Sequence, residues 1–277
     1  MKHFFATIRT EKPLGAGFDF FILAKREGDL VLRFVYVIVM RTFSIIYFVP
    51  KMAYYAKHPN IYSEVDRYLL AQDVMDRVRR TARVTTAYGG KDNLPKVSGY
   101  MMFANHQGKY DALGILLGHE KPCSVLMDKK RSQMFIAKQF VDLLGGQRIE
   151  KDRPRQQIRV LNDMAEEVKS GRNYLVFPEG GYGKKRDNRL EEFKYGCFVA
   201  AIKAKCPVVP VLIMDSYRAF GLNSLKKVKT RVIFLAPIPY EEYEGMKPKE
   251  LCAYVKGRIQ EELDRQEGRT PREQKTA

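Results

Sequence analysis

The chain has 277 residues, 45% of them hydrophobic and 29% charged, which is enough to bury a full core and excludes a disordered or low-complexity chain. Forty-nine Lys and Arg against 32 Asp and Glu leave a formal charge of +17, which draws the surface toward phosphate, anionic lipid or an acidic partner protein without choosing among them. Cys123, Cys197, Cys206 and Cys252 form no Cys-x-x-C pair and have no His at ligand spacing, so neither a disulfide framework nor a zinc site is expected, and the protein reads as facing the cytosol.

Taken in chain order, the N-terminus holds no tidy signal peptide, because Arg9, Lys12, Lys25 and Arg26 interrupt its early apolar residues. From Leu30 to Val49 sixteen of twenty residues are apolar or aromatic, broken by Arg33 and Arg41. An Arg inside a spanning helix costs roughly 2.5–3.5 kcal/mol, so a shallow interfacial helix fits better than a span. On such a helix Arg33 and Arg41 lie about 80° apart and are expected to snorkel together toward headgroups. Phe18, Phe20 and Phe21 before it, and Tyr47, Tyr54 and Tyr55 within and after it, are the rings expected at an interface. Residues 1–62 are therefore read as an apolar and basic membrane-associating segment, although a buried core helix or a Val- and Ile-rich strand would read the same way.

Ser63-Glu-Val-Asp66 is a capping box that opens a helix through Leu69, Leu70, Val74 and Val78. Short apolar runs follow at Val84–Tyr88, Tyr100–Ala104, Ser124–Met127, Tyr174–Phe177, Val208–Ile213 and Val232–Leu235. Helical patterns at Gln156–Lys169 and Phe193–Lys205 alternate with them, which indicates an α/β domain, assigned to residues 63–265. Gly89-Gly90 marks a turn between the first two strands. Residues 266–277 are charged and read as a flexible tail.

His106 follows the apolar run Met101–Ala104 and precedes Leu113, Ile115, Leu116 and Leu117. That places Asn105 to Asp111 in the turn at the carboxyl end of a strand, where open α/β sheets hold ligands. His106 and Asp111 would stand about 140° apart on one helix, so contact requires His106 in the turn and Asp111 in the first helical turn. Asp111 would then fix the imidazole tautomer and leave Nε2 to take a proton from an attacking hydroxyl. The bland alternative is a surface His beside a capping Asp. A second segment, Phe177-Pro178-Glu179-Gly180-Gly181-Tyr182-Gly183, also follows an apolar run. It can turn backbone N–H groups toward an anion, with Lys184, Lys185, Arg186 and Arg189 close behind, although a solvated basic loop would read the same way.

Together these segments resemble the glycerolipid acyltransferases, specifically the 1-acylglycerol-3-phosphate (lysophosphatidic acid) acyltransferases. Asn105-His106-x4-Asp111 stands for the first block of that family, Gly145 to Arg153 loosely for the second, Phe177-Pro178-Glu179-Gly180 for the third and Val208-Val209-Pro210-Val211 for the fourth. The resemblance runs from about Val84 to Pro239 and includes Phe193-Lys194-Tyr195-Gly196. It implies a mixed central sheet flanked by helices, with an N-terminal membrane-associating helical segment. His106 would be the general base and Asp111 its orienting partner. Asn105, Phe177, Pro178, Glu179, Gly180, Lys184 and Lys194 would line the acceptor site, with Lys151 or Arg153 on its phosphate. The acyl donor would be acyl-CoA or acyl-carrier protein, a substrate rather than a cofactor, and no metal is implied. Partners would be the membrane phospholipid surface, a lysophospholipid acceptor and the donor, at the cytosolic face of the cell membrane in a peripheral or monotopic setting.

This sequence departs from the family at Gly181-Tyr182, where Thr-Arg is common, and at Gly108, where Ser is common. Loss of that Arg opens the acceptor to another lysophospholipid or an aminolipid. A non-catalytic anionic-lipid-binding protein is the competing class. Nucleic acid is not expected, because no nucleic-acid module accompanies the basic run Lys226-Lys-Val-Lys229.

Overall fold

The computed structural model describes residues 32–134, 136–182 and 187–269. The six apolar runs become β1 (Val84–Gly89), β2 (Met101–Ala104), β3 (Cys123–Asp128), β5 (Asn173–Val176), β6 (Val208–Met214) and β7 (Val228–Phe234), while β4 (Gln147–Ile149) is a short strand that no apolar run announces. The sheet order is β1-β7-β6-β2-β5-β3-β4. Every pairing is parallel except β6 with β7, so the sheet is mixed, as the resemblance implies. β2, β5 and β6 are buried at every position, as strands covered on both faces must be. Gly90 does make a left-handed turn at φ 66°, but the chain leaves it for the far side of the sheet. β7 and β6 lie between β1 and β2.

Side chains alternate across the central strands. Met101 and Phe103 join the core under α6 (Pro154–Lys169), α7 (Phe198–Ala204) and α10 (Pro248–Gln266). Met102 and Ala104 face the opposite core, under α3 (Glu64–Thr81) and α4 (Asp111–Gly118). Helix α3 opens on the Ser63–Asp66 capping box that its sequence predicts. Helix α7 starts at Phe198 rather than Phe193, because Lys194 is extended and Tyr195–Cys197 form a single 3-10 turn. Helix α10 falls where no element was assigned; Pro248 opens it, and Leu251, Val255, Ile259 and Leu263 bury one stripe at i, i+4 spacing.

The N-terminal part of the described chain departs most from expectation. Helices α1 (Leu32–Met40) and α2 (Thr42–Lys57) meet at 77°, and among the described residues no single helix is long and apolar enough to cross a membrane. Residues 32–62 fall in the same compact unit as the sheet.

Neither Arg snorkels. Arg33 is 1% exposed: its Nη1 donates to the carbonyls of Arg218 (3.0 Å) and Ala219 (2.9 Å), and its Nη2 to that of Lys226. Arg41 Nε donates to Thr81 Oγ1 at 2.6 Å. A guanidinium offers five donors, and three carbonyls at the ends of neighbouring elements accept from it inside the protein, while its Nε is buried with no partner among the described residues. The exposed apolar surface lies instead around the elbow, on Val39, Met40, Phe43, Ile46 and Tyr47. The expectations for Phe18, Phe20, Phe21 and the rest of residues 1–31, for Lys184, and for the tail beyond residue 269 lie outside the described residues.

Candidate active site

β5, β2 and β6 are neighbours in the sheet, and the segments leaving their carboxyl ends form the site, at the sheet edge where α/β folds bind ligands. After β2 the chain would lose its partner on β6, but the Asn105 side chain extends the ladder. Its Nδ2 donates to the Ile213 carbonyl (2.9 Å) and its Oδ1 accepts from the Ile213 N–H (2.8 Å). Both polar ends are thus committed and the residue is 1% exposed, so Asn105 anchors the turn rather than lining an acceptor site.

His106 stands in that turn and Asp111 at the first position of α4, the arrangement that contact requires. Asp111 Oδ2 lies 2.7 Å from His106 Nδ1 and also accepts the N–H groups of Gln107 and Gly108, the latter at 2.9 Å. Oδ1 accepts from Ser216 Oγ at 2.5 Å. The carboxylate is fully buried and surrounded by donors, which holds it as a fixed acceptor for Nδ1–H. Phe177 stacks on the imidazole with centroids 4.3 Å apart, and Tyr182 meets it edge-on at 5.0 Å. The ring is thus clamped while its side chain keeps 16% exposure, leaving the Nε2 edge to a ligand.

The second segment turns tightly: Gly180 N–H donates to the Phe177 carbonyl (3.0 Å) with Gly180 at φ 71°. Three cations gather on it from separate segments. Lys151 Nζ donates to the Gly180 carbonyl at 2.9 Å. Lys194, whose N–H donates to the Pro178 carbonyl at 2.9 Å, brings Nζ to 3.1 Å from where a Cβ on Gly180 would stand. Arg131 brings Nη1 to 3.1 Å from the same point on Gly181, and its guanidinium lies 5.3 Å from the Tyr182 ring centroid. The cation that the sequence lacks at Tyr182 is therefore supplied by Arg131 from the turn after β3. Arg153, by contrast, is 71% exposed in its side chain, pairs with Glu150 at 3.3 Å and caps α6. Of the two residues expected on a phosphate, only Lys151 touches the turn.

Glu179 is 8% exposed. Oε1 accepts a long bond from the Glu191 N–H (3.4 Å), and Oε2 has no partner among the described residues. Burial pushes its carboxyl up to about 7, against the opposing pull of the His106 and Glu191 main-chain amides.

Gln107, Arg131 and Ser216 complete the site and were not among the residues expected. Arg131 follows Lys129-Lys130 just past β3, and Ser216 lies two residues past β6. A search of polar residues at the carboxyl ends of all the strands would have found both.

Residues 85–214 match the family model for acyltransferases. The matched segment, a little under half of the chain, holds His106, Asp111 and the Phe177–Gly180 turn. Among its relatives, the 1-acyl-sn-glycerol-3-phosphate acyltransferase of Saccharomyces cerevisiae is 32% identical over 130 residues, covering 46% of this chain and 42% of the yeast protein. The sheep alpha form is 28% identical over 59% of this chain and 56% of its own length. The enzyme of that name from Escherichia coli is 29% identical over 58% and 65%. This chain thus spans about half the length of the curated relatives it matches. The crystal structure of the 1-acyl-sn-glycerophosphate acyltransferase PlsC from Thermotoga maritima shares the fold, with a TM-score of 0.69 at 19% identity over 87% of this chain and 98% of that one.

Proposed function

We propose that this chain moves a fatty acyl group from acyl-CoA or acyl-carrier protein to the free hydroxyl of 1-acylglycerol-3-phosphate, forming phosphatidic acid for phospholipid synthesis at the cytosolic face of the cell membrane. What supports this is one juxtaposition: a His–Asp pair joined at 2.7 Å beside a glycine turn on which Lys151, Lys194 and Arg131 converge. Nε2 of His106 takes the acceptor's hydroxyl proton as that oxygen attacks the thioester carbonyl carbon. The C–S bond then breaks and the thiolate leaves with the proton returned from Nε2. The three cations suit the acceptor phosphate, and the +17 surface suits a donor carrying phosphates or an acidic carrier protein. The exposed elbow at Val39–Tyr47 would lie shallowly in the headgroup region, bringing the lysolipid to the site.

The test is acyl transfer by the purified full chain, with both donor types, across a panel of lysophospholipids and aminolipids, read by mass spectrometry of the products. Phosphatidic acid should form with wild type, and His106→Ala should lose roughly 10²–10⁴-fold in rate. Lipid binding without turnover would instead identify an anionic-lipid-binding protein. A second acceptor class is favoured by one observation, Tyr182 at the place where the resemblance to the family implies Arg. Preference for a different headgroup in the panel would select it.

A further inference from the structure

The pair His106–Asp111 does not stand alone. Ser216 is fully buried; its hydroxyl has two acceptors in reach for one proton, Asp111 Oδ1 at 2.5 Å and Gln107 Oε1 at 2.9 Å, and the nearer, charged oxygen accepts it. Ser216 is itself held by Gln107, whose Oε1 accepts the Ser216 N–H at 3.1 Å. The Gln107 amide donates onward to Asn188 Oδ1 at 3.0 Å, an oxygen that also accepts the Asp215 N–H at 2.8 Å. Asp215 has φ 61°, a left-handed conformation that Asp tolerates better than most non-glycine residues, and its N–H bond to Asn188 helps to enforce it.

The enforcement comes from the far side as well. Two residues past Ser216, the Arg218 and Ala219 carbonyls accept from Arg33, as does that of Lys226. The Leu32 N–H donates to Asn223 Oδ1 at 3.0 Å, and Phe34 meets Phe220 edge-on with centroids 5.9 Å apart. The first turn of α1 therefore grips residues 218–226, the segment that continues the Ser216 turn.

We propose that Ser216 is a positioning residue for the His106–Asp111 pair, and that Arg33, reaching in from α1, fixes the turn that carries it. The consequence is that seating of the helix beside the exposed elbow and readiness of the base are one structural event. This inference rests on the reading of His106 as general base, so its test includes a measurement that needs no acyl transfer.

Three full-chain variants in detergent micelles carry the test: Ser216→Ala, Ser216→Thr and Arg33→Met. With the donor to Oδ1 gone, the Asp111 carboxylate pulls harder on Nδ1–H. In Ser216→Ala the Nδ1 proton resonance of His106, read by NMR without substrate, should move downfield, and the acid limb of the kcat profile should move to higher pH. Glu179 and Tyr182, the other titratable groups beside the pair, are unchanged in these variants.

The kcat of Ser216→Ala should fall about tenfold or more with acceptor KM within about twofold. Ser216→Thr, which keeps the hydroxyl, should recover most of the resonance position and rate. Arg33→Met should lower kcat several-fold, again without moving acceptor KM. The proposal is overturned if folded Ser216→Ala keeps the wild-type resonance and acid limb, or if its rate falls only in proportion to its folded fraction. It is overturned for Arg33 if Arg33→Met keeps wild-type kcat. Should wild type transfer no acyl group from any donor, the functional reading fails, while the resonance still decides the role of Ser216.

Discussion

Two carboxylates occupy this site in opposite conditions. Asp111 has a donor for every face it presents: His106 Nδ1, two main-chain N–H groups and the Ser216 hydroxyl. Glu179, on the neighbouring strand end, has only the main-chain amides of His106 and Glu191, the latter at a long 3.4 Å, and an oxygen with no partner among the described residues. The difference separates what folding finishes from what it leaves for a ligand. The turn that carries His106 is a closed network, whereas the glycine turn collects cations and an unsatisfied acid whose complement, on the proposed function, would be an acceptor headgroup.

The largest effect that would break this contrast belongs to Asp111. Asp111→Asn keeps the shape but no longer fixes the Nδ1–H tautomer, and kcat should fall by about 10³–10⁴ with melting temperature little changed. Retention of rate would mean that the closed network serves stability alone.

Glu179 comes next. Its unfolded carboxyl titrates near 4.5 and its folded one at about 7. Between those values the unfolded chain has released a proton that the folded chain still holds, so rising pH favours unfolding. The contribution of Glu179 to stability is greatest below pH 4.5, declines toward pH 7 and stays lower above it, by an amount on the order of 3 kcal/mol. Glu179→Gln cannot titrate, so urea melts from pH 4 to 8 should show the variant gaining on wild type as pH rises. Parallel curves would mean that Glu179 is not held as a buried acid.

Arg131 sharpens the other half of the contrast. Arg131→Ala should raise acceptor KM roughly tenfold with kcat nearly kept, because a charge-assisted contact to phosphate is lost while the base is untouched. An unchanged KM would place the phosphate elsewhere. The smallest effect is at Gly108, where an added Cβ would lie 3.6 Å from Tyr217 Cα, an ordinary contact. Gly108→Ser should alter stability by less than about 0.5 kcal/mol and rate by less than about twofold, as a thermal melt and an initial-rate assay would show.

The sequence makes part of this legible and hides the rest for physical reasons. His106, Asp111 and the Phe177–Gly180 turn stand out because each closes an apolar strand, and strand ends are visible in hydropathy. Asn105 belongs to the same run, yet its role reverses on folding, since only the register against Ile213 reveals an amide standing in for backbone. Ser216 lies 105 residues from Asp111 and Arg131 comes from a different strand end, so no local period links them to the site. Arg153 and Lys151 are indistinguishable as charges; the turn after β4 sends one to Gly180 and the other to solvent. Arg33 misleads because hydropathy treats an Arg in an apolar helix as seeking water, while the acceptors it finds are 185 to 193 residues downstream.

That separation also sets an order of assembly. During synthesis α1 emerges long before Lys226, and until then its guanidinium must be solvated by water or headgroups. β1 likewise reaches the sheet only through β7, one of the last segments made. Contacts of such long range delay closure of the fold. On the proposed function, the apolar elbow is made well before residues 215–234 arrive to complete the network around Asp111, so the surface proposed to meet lipid precedes the finished site in time.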